Sequence, residues 1–277
     1  MSAGFRVAGV MGWPVAHSLS PVIHRFWLDA AGVDGDYVRL PVRPEALGAA
    51  LRALPALGFS GVNLTVPHKV AALAHLDRLE EGARRVGAAN IVTVGADGSL
   101  AGDNSDVAGA AEALAQVGAG PGRPAAVLGS GGAARAALAA LAGLGVEEVR
   151  LVARDAERAG ALAQALAPGA RLFALEAAGE AFAGALVVNA TSLGMRGGPA
   201  VPEALLAALE AAAGLFDMVY APLETPFLVR ARALGLPAVD GLVMLVGQAA
   251  AAFAAFFGLD PVRERDGELR ALLAGVA

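Results

Sequence analysis

The sequence predicts an α/β protein of two domains with open, parallel-dominated sheets, and three observations lead there. Short apolar or β-branched runs alternate with helix-length segments along the chain, the order in which a parallel sheet covered by helices is laid down. At 277 residues the chain exceeds the usual size of one core, so one large or two modest domains are expected. Hydrophobic residues make up 56% of it, enough to fill such cores.

The elements follow in order. "FRVAGVM" reads as a strand, and "SPVIHRFWLDAAG" as a helix with Ser20 at the N-cap, Pro21 at its first position and Gly32 closing it. "DYVRLPV", "PEALGAALRALPALG", "FSGVNLTV" and "PHKVAALAHL" continue as strand, helix, strand, helix. A second unit starts near Asp106 with the helix "VAGAAEALAQVG". Strand, glycine turn and helix follow in "RPAAVLGSGGAARAALAALAGLG", strand and helix in "EEVRLVARDAERAGALAQAL", then the strands "ALVVNA" and "GLFDMVY". The long apolar helix from Gly241 and a short one after Pro261 have no strand to serve, so they are expected to return to the first unit. The expected domains are residues 1–106 completed by 241–277, and residues 107–240.

Composition excludes several functions. Net charge is −5 and no basic run exceeds Arg84-Arg85, whereas nucleic-acid binding needs a concentrated basic face. Apolar runs are interrupted before the ~18 residues a membrane span requires; "VMLVGQAAAAFAAFFGL" comes nearest and holds Gln248 in its middle. The chain has no cysteine, so disulfides and thiolate metal ligands are out, and no metal site is expected. No export signal is visible at the N-terminus, so a cytoplasmic location is expected.

The scarce polar residues carry the chemistry. Of 21 lysines and arginines, Lys69 is the one lysine. An ammonium can lose its proton when desolvated and a guanidinium cannot, so Lys69, in the first turn of a helix at a strand's carboxyl end, is a candidate for proton transfer. Asp106 in "GDNSD" is a candidate partner carboxylate. The four asparagines, Asn63, Asn90, Asn104 and Asn189, sit at or near the ends of apolar stretches, where amides serve either a site or turns. Ser18 and Ser20 in "HSLSP" lie two residues apart; in an extended segment both hydroxyls face one side and could grip a small carboxylate, while Ser20 also suits a helix cap.

"VLGSGGAA" has the form G-x-G-x-x-A, with Gly129, Gly131 and Ala134, between a strand and a helix. That context belongs to a dinucleotide loop, whose glycines let the backbone approach a pyrophosphate at the helix N-terminus. In "VARDAER", Arg154 and Arg158 could hold a 2′-phosphate and so favour NADP. Asp155 offers the alternatives of a ribose contact, as for NAD, or a plain helix cap.

Taken together, "GWPVAHSLSPVIH", "GVNLTVPHK", "GAAN", "GDNSDVAG", "LGSGGAARA", "NATSLGM", "DMVYAPLETPF" and "DGLVMLVGQAAAAF" resemble the shikimate dehydrogenase family, in family order over residues 12 to 254. The resemblance implies an N-terminal open α/β substrate domain and a Rossmann-type NADP-binding domain with the active site in the cleft. It implies reduction of 3-dehydroshikimate to shikimate in aromatic amino-acid biosynthesis, with small molecules as the only partners and a monomer or homodimer as the working form. Carried over by position, Ser18 and Ser20 hold the substrate carboxylate; Thr65, Lys69, Asn90, Asp106 and Gln248 hold its hydroxyls, and Tyr220 lines the pocket. Lys69 is the acid/base and Asp106 its partner. The cofactor contacts Gly129, Ser130, Gly131, Gly132, Ala133, Arg154, Arg158, Thr191, Met218 and Gly241.

Three positions depart from the family pattern. Arg25 stands for the usual Asn, a change expected on a helix surface. Ser105 stands for Thr and keeps a hydroxyl. Ala153-Arg154-Asp155 stands for Asn-Arg-Thr and removes two groups that help a phosphate, which leaves NAD as the alternative cofactor. The rival readings are an NAD-dependent quinate/shikimate dehydrogenase and a catalytically silent paralogue that senses cofactor or metabolite.

Overall fold

A computed structural model describes residues 4–276. These form two compact units, one of residues 4–105 with 248–276 and one of residues 106–247. In chain order the first part runs β1 (Arg6–Gly12), α1 (Ser20–Ala31), β2 (Gly35–Pro41), α2 (Leu47–Ala53), β3 (Phe59–Leu64), α3 (His68–Ala71), β4 (Arg78–Leu79), α4 (Glu81–Val86), β5 (Ile91–Val94) and β6 (Leu100–Asp103). The second unit runs α5 (Asp106–Gln116), β7 (Ala125–Leu128), α6 (Gly132–Gly143), β8 (Val149–Val152), α7 (Ala156–Leu166), β9 (Arg171–Phe173), α8 (Ala178–Phe182), β10 (Leu186–Asn189), α9 (Glu203–Ala208), β11 (Gly214–Asp217), α10 (Pro226–Ala233) and β12 (Ala238–Val239). Then come α11 (Gly241–Phe257), whose sequence is shared between the units, and α12 (Asp266–Ala274).

The first sheet has the order β2-β1-β3-β5-β6-β4. Its β1 lies parallel to β2 and β3, and β4 parallel to β6, while β5 is antiparallel to both β3 and β6, so the sheet is parallel-dominated, as the βα alternation suggested, with β5 reversed. The cause is the turn "GADGS" between β5 and β6. Gly98 N–H donates to the Gly95 carbonyl at 2.9 Å, and the Asp97 carboxylate accepts from the Ser99 amide and hydroxyl at 3.0 and 2.6 Å. Such a side-chain-closed turn reverses the chain within a few residues.

Helix α1 begins one residue earlier than its sequence suggested. Leu19 occupies the N-cap position and Ser20 is already helical, so the Ser20 hydroxyl is not spent on a cap. Arg25 projects from the outer face to pair with Asp36 at 2.6 Å, which bears out the surface role expected for that departure. Inside, α1 and the end of α11 enclose a cluster of His24, Trp27, Tyr37, Phe253 and Phe257, all 0% exposed.

The second sheet is parallel throughout, with the order β12-β11-β10-β7-β8-β9. Counted from β7, this is the 3-2-1-4-5-6 arrangement of dinucleotide-binding domains, whose ligands lie beyond the carboxyl ends where strand order reverses. Here that point falls between β7 and β10. Strands β7, β10 and β11 are buried along their whole length, as central strands covered on both faces must be.

Candidate active site

In the first unit the expected residues gather at one end of the sheet. Ser18 and Ser20 follow β1, Thr65 follows β3, and Lys69 lies in α3 just beyond. Strand β5 runs antiparallel to β3, so Asn90, immediately before it, reaches the same end; β6 returns there with Ser105. The Ser18 hydroxyl lies 3.3 Å from that of Ser20 and accepts from the Ser20 amide at 3.3 Å. Arg39 holds this loop from β2, donating through Nε and Nη2 to the Ser18 carbonyl at 3.1 and 2.6 Å. The loop carrying Lys69 is held at three points. Thr65 N–H donates to Met11 O at 2.9 Å, the ring of buried His68 lies 2.8 Å from Val42 O, and Ala89 N–H donates to Lys69 O at 2.8 Å. Lys69 itself is half-buried.

Asn90 is buried and bonded on both sides of its amide. Its Oδ1 accepts from Ser105 N–H at 2.8 Å and its Nδ2 donates to Ser105 Oγ at 3.2 Å. The serine at position 105 therefore still supplies a hydroxyl to its neighbour. Behind them, Tyr37 donates to Asn63 Oδ1 at 2.7 Å, and Asn63 Nδ2 donates to Asn90 O at 2.9 Å. Burial pushes the Tyr37 phenol well up, with the Ser20 hydrogen bond opposing. Gln248, on α11, also belongs to this unit, while Asp106 opens α5 of the second and Tyr220 follows β11 there. Burial raises the Tyr220 phenol too.

In the second unit, Gly129, Ser130, Gly131, Arg154, Arg158 and Thr191 line one cavity of about 670 Å³ at the carboxyl ends of β7, β8 and β10. Gly129 turns the chain with φ +115°, and a Cβ there would lie 2.9 Å from Thr191 and 3.1 Å from the Ala190 carbonyl; only glycine fits both demands. Helix α6 starts at Gly132 after Gly131, with no side chain capping its first amides. Those free N–H groups suit a pyrophosphate. Arg154 and Arg158 are exposed, and neither guanidinium has a hydrogen-bond or ion-pair partner among the described residues. Asp155 also borders the cavity, but its Oδ1 accepts from Arg158 N–H at 2.9 Å and caps α7. Asp155 thus serves as a helix cap, and the two arginines beside it are donors that fit a dinucleotide carrying a 2′-phosphate.

Gly132 and Ala133 lie just inside α6 and do not border that cavity; nor do Met218 and Gly241. Those last two touch each other. A Cβ on Gly241 would fall 2.4 Å from the Met218 carbonyl, so the start of α11 approaches the β11 loop as closely as only glycine permits.

Sequence reasoning passed over Asp217, and it flagged Asn189 only as one of the scarce amides. Both are 0% exposed, and they face each other at the ends of β10 and β11. Burial pushes the Asp217 carboxyl up to about 6, against hydrogen bonds from Thr225, Val219 and Asn189 and with the nearby charge of Asp240 adding to the rise. The available signal was a carboxylate embedded in the apolar run "GLFDMVY". Among the described residues no cluster of His, Asp or Glu could hold a metal ion, and no helix is long and apolar enough to cross a membrane.

Comparison with known proteins gives these arrangements a context. Residues 10–92 match the family model of the shikimate dehydrogenase substrate binding domain. The NADP(+) shikimate dehydrogenase of Rhodospirillum rubrum is 53% identical over 279 residues, covering 98% of this chain and 97% of that protein. Shikimate 5-dehydrogenase from Thermus thermophilus, solved with NADP(H) and shikimate, superposes with a TM-score of 0.84 at 41% identity, over 97% of this chain and 99% of that one. The quinate dehydrogenase of Corynebacterium glutamicum, solved with NAD, superposes with a TM-score of 0.87 at 31% identity, over 96% and 99%. Related in sequence over nearly its whole length and sharing the two-unit α/β architecture, the chain belongs to the shikimate dehydrogenase family.

Proposed function

We propose that the protein is an NADP-dependent shikimate dehydrogenase, an oxidoreductase that interconverts 3-dehydroshikimate and shikimate in the biosynthesis of aromatic amino acids. The observation that carries this reading is the relationship over the full chain to a curated NADP(+) shikimate dehydrogenase at 53% identity. Residues 1–106 with 241–277 would bind substrate and residues 107–240 the cofactor. The protein would act in the cytoplasm on small molecules alone, as a monomer or homodimer, which sedimentation of the purified chain distinguishes.

The assignment of roles follows the family resemblance, and each role is one that its side chain can perform. Ser18 and Ser20 donate hydroxyl hydrogens to the substrate carboxylate, presented by a loop that Arg39 fastens. Thr65, Asn90 and Gln248 orient the ring hydroxyls, and Tyr220 closes one wall. The bound dinucleotide supplies the hydride that reduces the ring carbonyl. As negative charge develops on that oxygen, the Lys69 ammonium gives up a proton to it, and in the reverse direction the neutral amine takes it back. Asp106 is assigned as the carboxylate partner of Lys69. Gly129 to Ala133 receive the pyrophosphate at the start of α6, Arg154 and Arg158 the 2′-phosphate, and Thr191, Met218 and Gly241 border the remainder.

NADP is preferred over NAD because Arg154 and Arg158 border the cavity with no hydrogen-bond or ion-pair partner for their guanidinium groups among the described residues, while Asp155 already spends Oδ1 on the cap of α7. Oxidation of shikimate and of quinate, each with NADP+ and with NAD+, tests the reading through nicotinamide absorbance. Shikimate with NADP+ is expected to give the highest kcat/KM. Preference for quinate with NAD+ would transfer the protein to the quinate dehydrogenases, and ligand binding without turnover would leave a sensor.

A further inference from the structure

The ends of β10 and β11 hold a polar chain that leads from Thr191 at the cavity to two buried residues, Asn189 and Asp217, that the proposed chemistry does not use. Asp217 Oδ1 accepts from Asn189 Nδ2 at 2.8 Å and from Val219 N–H at 3.0 Å, while Oδ2 accepts from the Thr225 hydroxyl at 2.5 Å. On its other side, Asn189 Oδ1 accepts from the Thr191 hydroxyl at 2.6 Å and from Thr191 N–H at 3.1 Å. The Thr191 oxygen in turn accepts from Leu193 N–H at 3.1 Å.

An amide side chain has a donor end and an acceptor end, and its neighbours decide which way it points. An ionised carboxylate can only accept, so Asp217 obliges Asn189 to turn its NH2 inward and its oxygen towards the two donors of Thr191. The Thr191 methyl then packs against the Gly129 turn, where a Cβ would meet it at 2.9 Å. Through Val219 the same carboxylate holds the loop that carries Met218 and Tyr220.

We infer that Asp217 is a positioning residue for the dinucleotide: as a buried acceptor it sets the orientation of Asn189 and, through it, the Thr191 loop against the Gly129 turn. The inference rests on the reading that this cavity takes NADP. What matters is the acceptor rather than the charge. An asparagine at 217 can keep its oxygen on Asn189 and Val219 and offer its NH2 to the Thr225 oxygen, whereas alanine leaves the Val219 N–H without a partner and Asn189 Nδ2 with only the long contact to Leu193 O at 3.4 Å.

The test uses NADPH titration by fluorescence and steady-state kinetics on the full chain, beginning with the unsubstituted protein. Failure of that protein to bind NADPH would end the functional reading itself, and this inference with it. With binding established, Asp217→Ala is expected to weaken NADPH about tenfold, the equivalent of one lost hydrogen bond. The KM for NADP+ rises in parallel, with kcat and the KM for shikimate moving less than about twofold. Asp217→Asn should restore NADPH affinity to within about threefold. Should Asp217→Ala not fold, Asn189→Ala decides, since it cuts the link to Thr191 but leaves Asp217 its Val219 and Thr225 donors; it is expected to weaken NADPH to the same degree. Unchanged NADPH affinity in folded Asp217→Ala or in Asn189→Ala overturns the inference. So does a loss confined to kcat, the mark of a smaller folded fraction, or an Asp217→Asn protein as weak as Asp217→Ala.

Discussion

His24 ties the acid stability of the first unit to one ring. It is 0% exposed, stacked on Tyr37 with centroids 4.0 Å apart and planes 4° from parallel, and flanked by Trp27 and Phe253. Neither ring nitrogen has a hydrogen-bond partner among the described residues. Burial alone lowers its pKa from 6.5 to about 3, so the native ring refuses a proton that the unfolded chain accepts. The neutral ring's contribution to stability is complete above pH 6.5, shrinks as the pH falls below that value, and is gone near pH 3. Each pH unit inside this window is worth about 1.4 kcal/mol, which makes about 3 kcal/mol between pH 7 and pH 4. Replacing His24 by Phe keeps the aromatic stack and removes the titration; Leu serves as a second replacement where the larger ring overpacks. Both tryptophans, Trp13 and Trp27, lie in the first unit, so urea unfolding followed by tryptophan fluorescence reports on that unit. The unsubstituted protein should lose about 3 kcal/mol more than His24→Phe between pH 7 and pH 4. Carboxylates that titrate in the same range affect both proteins alike and cancel in the comparison. Parallel stability curves for the two proteins would show that the folded ring takes up a proton at its ordinary pKa, and the reasoning from burial would fail.

Other substitutions separate the remaining roles. Lys69→Met should lower kcat by at least about a hundredfold, and Lys69→Arg nearly as far, because a guanidinium keeps the charge but not the transferable proton; an arginine variant with full turnover and an unchanged pH profile would reduce Lys69 to a fixed charge. Arg154→Ala and Arg158→Ala should each raise the KM for NADP+ about tenfold while sparing turnover with NAD+; equal losses with both cofactors would mean that neither reads the 2′-phosphate. Asp155→Ala should cost about 1 kcal/mol in the thermal or urea unfolding of the second unit, and Asp155→Asn much less, since Asn caps as well as Asp. Gly241→Ala would force a methyl to within 2.4 Å of the Met218 carbonyl, with an expected loss of about 1–3 kcal/mol in unfolding free energy.

The second unit was the more legible of the two because its rules are local. A parallel βα repeat with a glycine turn after its first strand leaves little choice of strand order. The first unit hid the reversal of β5 within its sheet because "GADGS" is short and lies between runs that each read as an ordinary apolar strand. Helix α1 starts one residue before its Ser-Pro signal, with Leu19 at the N-cap position and no side-chain cap, a shift within the range over which a helix end is set by local backbone geometry. Residues whose chemistry is intrinsic, such as Lys69 or the glycine loop, could be named from the sequence. Asp217 and Tyr37 could not, because their importance comes from what they face after folding.

The asparagines show why scarcity is informative. All four are buried, and each amide ties one loop to a neighbouring strand end or loop. Asn63 joins Tyr37 to the backbone of Asn90, Asn90 holds Ser105, Asn104 Nδ2 donates to Ala88 O at 2.8 Å, and Asn189 joins Asp217 to Thr191. Only Asn90 stands among the residues assigned to substrate. Where loops meet at the carboxyl ends of strands, backbone donors and carbonyls are stranded together, and one side chain able both to donate and to accept satisfies two of them at once. Alanine at such a place leaves both unpaired, at about 1–3 kcal/mol each, and aspartate repels the carbonyl. In a chain whose composition favours alanine wherever alanine will do, an amide therefore persists where a loop must be held in one conformation. A site and its turns were not competing explanations for these residues: the turns are what hold the site's side chains in place.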